Sequence, residues 1–362
     1  MKVAIVGCGY VADFYLSTAC NHRGLAFVGV WDRDPDRLAA FATFHGLSTY
    51  GSLGALLADA QVELILNLTN PESHYEVSRQ ALLAGKHVYS EKPLTLRLNE
   101  AQALIDLARE HSLTLACAPS SMLGGAAQAL AKLLEEGAIG SPRLVYASLE
   151  AGPVHLENYW EWRSLSGAPW PAENEFAVGC TLEHVGYYLT WLCALFGPVR
   201  RGAAWASLQA PEKATTQTAD QLAPDFSVAC LEFDGGLVAR LTCGMMAPKD
   251  LALQVIGDGG SIIVEDAWNY RSPMSIRDKR GEMVREIHIA DDALLGPWPS
   301  EMDFCRGPAE QARRIELATD SPIALSMLLH VTEIALLIDA ARHGGVFLPT
   351  TSFDLTRGEA LS

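Results

Sequence analysis

The chain reads as an α/β protein, with an amino-terminal doubly wound parallel sheet of Rossmann type followed by an α/β region built on a largely antiparallel open sheet. Three observations predict this. Near-continuous apolar runs alternate with helical patterns up to residue 118, a glycine-rich turn joins the first run to the first helix, and beyond Pro119 alternating runs are separated by Gly-rich turns. The 362 residues exceed what one core usually takes, so two domains are expected, 1–118 and 119–362.

Strands are expected at 2–7, 26–32, 63–69, 87–91 and 113–118, each a short run of strand-forming residues. Between them, 10–20, 35–45, 52–59, 73–84 and 98–111 carry helical spacing. Beyond Pro119 a helix at 124–136 ends in EEGAIGSP, and a strand at 143–152 leads into an irregular, aromatic-rich stretch, 155–176. A long apolar helix, 180–196, is closed by FGP. Runs at 226–234, 237–246, 251–257, 260–265 and 283–289, with DGG and GDGG turns, read as an antiparallel meander. Helices at 308–318 and 323–343 close the chain, and 207–224 and 268–300 are the segments expected to be least ordered.

A formal net charge of -16 argues against a nucleic-acid or anionic-membrane surface, since either needs a basic face. Small molecules are the expected partners. No apolar run reaches signal-peptide or membrane-spanning length, so a cytoplasmic protein is expected. The eight cysteines are scattered, with no metal-ligand spacing, and are expected to be reduced thiols, with no metal site.

The stretch GCGYVA matches G-x-G-x-x-A between the first strand and the first helix. Gly7 makes the tight turn, Gly9 admits a pyrophosphate close to the backbone, and Ala12 lets the helix pack closely; Tyr10 and Val11 lie in the same turn. Asp32 ends the second strand, where an acid meets an adenosine ribose hydroxyl; capping the next helix is its alternative role. A carboxylate there favours NAD, and Arg33 beside it leaves NADP open. After the third strand, NLTNPESHY places Thr69, Asn70 and His74 at the sheet's carboxyl edge, to line a cofactor or to build a turn and helix cap. The fourth strand ends in Glu91-Lys92-Pro93, which delivers a lysine to the same edge.

GCGYVA, TNPESH and AGKHVYSEKP, in this order and spacing, resemble the Gfo/Idh/MocA oxidoreductase family, and LLEEGAIGSPRLV and HVTEIALLIDAARHGGVFLP extend the likeness over nearly the whole chain. The family writes Thr-Pro-Asn where this chain has Thr69-Asn70-Pro71. The resemblance implies an NAD(P)-dependent dehydrogenase or reductase acting on CH–OH groups of a sugar, polyol or related compound, with Glu91 and Lys92 beside the cofactor. It also implies a homodimer or homotetramer packed through the second domain's sheet. Lys92 would hold the substrate oxygen and stabilise charge developing on it.

The family's second catalytic motif is G-x-L-x-D-x-G-x-H, and here the corresponding stretch is GCTLEHVGYYLTWLCALFG. Anchored on Leu182 and Gly186, it puts His184 at the aspartate position and Tyr188 at the histidine position; anchored on Gly197, it puts Tyr187 there. Tyr188 as acid/base, with its pKa lowered by Lys92, is one reading. His184, whose unperturbed pKa is about 6.5, is the second, and silent core aromatics are the third. Trp162 and Arg163 in the aromatic stretch are candidate substrate contacts, and hydrophobic packing under the loop is their alternative role. Two other outcomes stay open: a catalytically silent dinucleotide-binding regulator, or a reductase of a non-sugar such as a cyclic diol or imine.

Overall fold

The structure is a computed structural model that describes residues 1–290, 293–296, 301–319 and 324–355. Strands β1 (Lys2–Val6), β2 (Ala26–Trp31), β3 (Leu64–Asn67), β4 (His87–Ser90) and β5 (Leu115–Cys117) form a wholly parallel sheet in the order β2-β1-β3-β4-β5. Between them run α1 (Ala12–Thr18), α2 (Pro35–His45), α3 (Leu53–Ala58), α4 (Pro71–Leu83) and α5 (Leu98–Glu110). Local chemistry sets the helix ends. Asp34 caps α2 by accepting from the Asp36 and Arg37 amides, Pro35 opens it, and Gly46 closes it in the left-handed region.

After α6 (Gly125–Glu135) the chain enters a second sheet at β6 (Pro142–Glu150), then passes through α7 (Ala172–Val178), α8 (Cys180–His184) and α9 (Gly186–Phe196). The sheet continues with β7 (Val199–Ser207), β8 (Phe226–Phe233), β9 (Val238–Gly244), β10 (Leu253–Gly257), β11 (Gly260–Val264), β12 (Met274–Arg277) and β13 (Met283–Ile287). Helices α10 (Arg306–Leu317) and α11 (Leu325–Asp339) precede the edge strand β14 (Gly345–Phe347). The order is β13-β12-β11-β10-β6-β9-β8-β7-β14, and every pairing is antiparallel except β6 with β9. One face packs against α9 and α11 in a core that includes Trp191, Leu192 and Ile334, while Leu144, Tyr146, Trp205 and Val346 are exposed.

The two-sheet fold class therefore holds. Within it, α7, β7, β12 and β14 were not anticipated. β7 reads VRRGAAWAS, whose outward arginines and small residues blur the apolar alternation. The expected helix 180–196 is split at Val185, where the Tyr188 amide reaches back three residues to the Val185 carbonyl, 3.1 Å. Segment 207–224 is anchored by a buried ion pair, Lys213 to Asp225 at 2.8 Å, and 268–300 contains β12 and β13. Positions 291–292 and 297–300 of that segment, and residue 323 of the last expected helix, lie outside the described residues.

One crossing matters for the site. The approach to α10 returns to the parallel sheet: the Cys305 amide donates to Thr18, His22 pairs with Asp303 at 2.8 Å, and Gln311 donates to the Val88 carbonyl. Phe304 and Cys305 are buried in the same cluster as Tyr15 and Val3. Among the described residues, no helix is long and apolar enough to cross a membrane.

Candidate active site

The glycine turn forms as the spacing predicts. Gly7 has φ +98°, and a Cβ there would lie 2.6 Å from the Leu68 carbonyl oxygen. Both the backbone region and the space exclude a side chain. Gly7→Ala is expected to cost about 3 kcal/mol, read as a lowered urea midpoint. Gly9 differs: among the described residues no heavy atom lies within 4 Å of where its Cβ would be. That open space over the turn, ahead of the first turn of α1, is a cradle that fits a dinucleotide pyrophosphate. Tyr10 and Val11 flank it, half-buried, and Tyr10 packs edge-on against Phe14.

Asp32 is buried at the end of β2 and accepts from the Cys8 amide at 2.7 Å and the Asp34 amide at 2.8 Å. It braces the glycine turn from the neighbouring strand. Arg33 is exposed, whereas Arg37, which the sequence reading missed, lies 3.8 Å from Asp32.

At the end of β3, Asn67 donates to the His74 carbonyl and Ser78 and accepts from Thr69, tying the turn to α4. His74 is fully buried, with its ring nitrogens 2.7 Å from the Pro93 carbonyl and 2.9 Å from the Thr69 carbonyl. It joins α4 to the lysine turn, so its ring acts through that turn. Asn70 precedes α4 and makes no side-chain cap.

Lys92 leaves the end of β4 and meets α8 across the cleft: its Nζ lies 2.7 Å from Glu183 Oε2. Glu91, behind it, accepts from the Tyr15 hydroxyl at 2.7 Å and from the Lys92 amide at 2.9 Å. The Lys92–Pro93 peptide is cis. Burial alone would discourage the ammonium, but Glu183, Tyr187, Glu175 and Glu91 outweigh it and hold the Lys92 pKa well above the usual lysine value. Lys92 is a fixed cation.

The facing helices require corrections. Tyr188 is fully buried and its hydroxyl donates to the Leu251 carbonyl at 2.5 Å. Burial, then Asp266 and Asp250, raises its pKa well above the usual phenol value, and Lys92 plays no part. Tyr188 was expected to contact substrate and exchange its proton, and the structure places its side chain in the second core. Tyr187 is the tyrosine at the cleft. It is half-buried where the two cores meet, packs on Trp268 at 5.2 Å, and its hydroxyl makes no hydrogen bond among the described residues. Burial raises its phenol pKa, Lys92 pulls it down, and Glu91 and Glu183 raise it.

His184 lies beside Trp268, and its Nδ1 is buried without a partner. Burial, then Lys92, lowers its pKa to about 3, so the ring is neutral at physiological pH. It is a hydrogen-bonding group and a poor base. Glu183 and Glu175 were missed. Glu183 on α8 and Tyr187 on α9 lie four apart across the break at Val185, and both act on Lys92. Glu175 arrives from α7, where burial and Glu183 push its carboxyl up to about 8 against the pull of Lys92.

Trp162 and Arg163 lie in the 155–176 segment. Trp162 packs edge-on against Trp170 at 5.3 Å, and Arg163 donates to the Trp160 and Trp162 carbonyls. They build that segment. Among the described residues no group of three or more His, Cys, Asp or Glu is placed to hold a metal.

Residues 1–118 match the family model described as oxidoreductase family, NAD-binding Rossmann fold, and residues 127–263 match the GFO/IDH/MocA C-terminal domain. An uncharacterized oxidoreductase of Synechocystis is 27% identical over 73% of this chain and 71% of its own length. The D-apiose dehydrogenase of Paraburkholderia graminis is 26% identical over 76% and 70%. Among solved structures, a putative NADPH-dependent oxidoreductase from Desulfitobacterium hafniense superposes with a TM-score of 0.76 at 21% identity, over 95% of this chain and 96% of that one.

Proposed function

Since the chain belongs to the Gfo/Idh/MocA oxidoreductase family, we propose that it moves a hydride between a nicotinamide cofactor and a secondary alcohol or ketone of a sugar or polyol. The observation that carries this is Lys92, held charged at the carboxyl edge of β4 by Glu183 from the facing helix, with Tyr187 near enough to act on it electrostatically. When bound, the cofactor supplies the hydride donor or acceptor, and the chain's own residues serve the oxygen. Lys92 exchanges part of its contact with Glu183 for the substrate oxygen and stabilises negative charge there. Tyr187 carries the proton. Burial raises its pKa, so the phenol rests in the form that gives a proton to an alkoxide during reduction and takes it back during oxidation. His184, neutral and short of a partner, orients a second substrate hydroxyl. A sugar-like substrate also accords with the D-apiose dehydrogenase relative.

We divide the chain functionally at residue 118, with α10 returning to complete the nucleotide-binding half. We place a homodimer or homotetramer contact on the exposed sheet face at Leu144, Tyr146 and Trp205, where large apolar side chains meet solvent.

The buried Asp32 carboxylate opposes a 2′-phosphate, so NADH is expected to bind at least about tenfold more tightly than NADPH, with Asp32→Ala narrowing the gap. Fluorescence titration checks this. The reaction is tested by reduced-nicotinamide absorbance across a panel of keto sugars and polyols. Cofactor binding without turnover on any of them would favour the regulator instead.

A further inference from the structure

The segment that enters α7 does more than pack. Residues 162–170 form a tight hairpin: Trp170 donates to the Trp162 carbonyl, Ser164 to Ala168, and Gly167 turns the tip at φ +91°. Its base is a stack of rings, with Tyr159 against Phe176 at 5.1 Å and Trp162 against Trp170 at 5.3 Å. At the tip, Ser166 reaches across to the parallel-sheet half and gives both its amide, at 3.1 Å, and its hydroxyl, at 2.8 Å, to Asp13 Oδ2. Asp13 is fully buried in the first turn of α1, and His45 holds its other oxygen at 2.5 Å. Eight residues on, Asn174 donates to Glu72 in the first turn of α4 at 2.5 Å, and then Glu183 takes Lys92.

These three ties fall after β1, β3 and β4, which are consecutive in the sheet. The chain from 166 to 183 therefore runs along the carboxyl edge strand by strand, over the crevice where open α/β sheets bind ligands. The space over Gly9, in the turn between β1 and α1, is open. An exposed loop resting on a surface would not place a serine on a fully buried carboxylate, because leaving that carboxylate short of donors is costly.

We propose that residues 162–175 are a strap across the dinucleotide cradle, fastened by Ser166 to Asp13 and by Asn174 to Glu72, and that bound cofactor leaves only when the strap lifts. This rests on reading the crevice as the dinucleotide site. The strap adds second-half residues to cofactor binding and makes release slower than substrate exchange at the Lys92 end.

The test preloads the full-length protein with NADH, chases it with excess NAD+, and follows nicotinamide fluorescence by stopped flow. Ser166→Ala combined with Asn174→Ala removes the side-chain fasteners, and release is expected to quicken on the order of tenfold. In the unaltered protein, exchange of the Ser166 amide with deuterium is expected to slow at saturating NADH; this readout remains if the double variant misfolds. Release within twofold of the unaltered protein, or Ser166 exchange indifferent to NADH, would overturn the strap. Failure of either dinucleotide to bind at equilibrium would defeat the cofactor reading and the strap together, whereas binding with unchanged release defeats the strap alone.

Discussion

Lys92→Met is expected to lower kcat by about 10³-fold while leaving NADH affinity near that of the unaltered protein. The loss is large because the groups that act on Lys92 among the described residues are the Tyr187 phenol and the carboxyl groups of Glu183, Glu175 and Glu91, and the nearby His184 ring is held neutral. The same change leaves Glu183, only 4% exposed, without its ammonium, so the fold should lose about 3 kcal/mol as well. Single-turnover rates and a urea melt on the same preparation separate the two effects. A Lys92→Met variant that turns over at the original rate would remove the lysine from the mechanism altogether.

Adjacent tyrosines give the second large effect and the sharper contrast. Tyr187→Phe is expected to reduce kcat by about 10² to 10³-fold with little change in stability, since its hydroxyl is the proposed proton carrier and makes no side-chain hydrogen bond among the described residues. Tyr188→Phe should leave kcat within about twofold and cost about 1 kcal/mol, because it strips the Leu251 carbonyl of a buried donor. Steady-state kinetics and thermal melts of the two variants decide the matter. The reverse pattern, with activity lost at Tyr188, would mean that the helix turns its other face to the substrate.

The nucleotide-binding half was legible because its chemistry is local. Gly7, Asp32 and Lys92 each follow a strand by one or two residues, so strand pattern and motif place them together, and the structure puts all three at one sheet edge. The facing wall depends on helix phase, where an error of one residue rotates a side chain by about 100°. Anchoring on Leu182 and Gly186 selected His184 and Tyr188, whereas contact with Lys92 selects Glu183 and with it Tyr187. GCTLEHVGYY contains Gly179, Glu183 and Tyr187 at even four-residue spacing, and that signal could have been read. Glu175 could not, since α7 lies in a stretch whose prolines and aromatics carry no helical period. Nor could Ser166 on Asp13, a pairing 153 residues apart that only the assembled sheets create.

The return of the chain before α10 bears on synthesis. The parallel sheet is complete in sequence at Cys117, yet its core also takes Phe304 and Cys305, and Thr18 and His22 wait for partners nearly 290 residues downstream. On a ribosome adding about 5–20 residues per second, that is a delay of some tens of seconds during which the first-made half lacks part of its packing. The nucleotide-binding half is thus the first to be made and among the last to be finished, and a ligand that holds its sheet edge would shelter it in the interval.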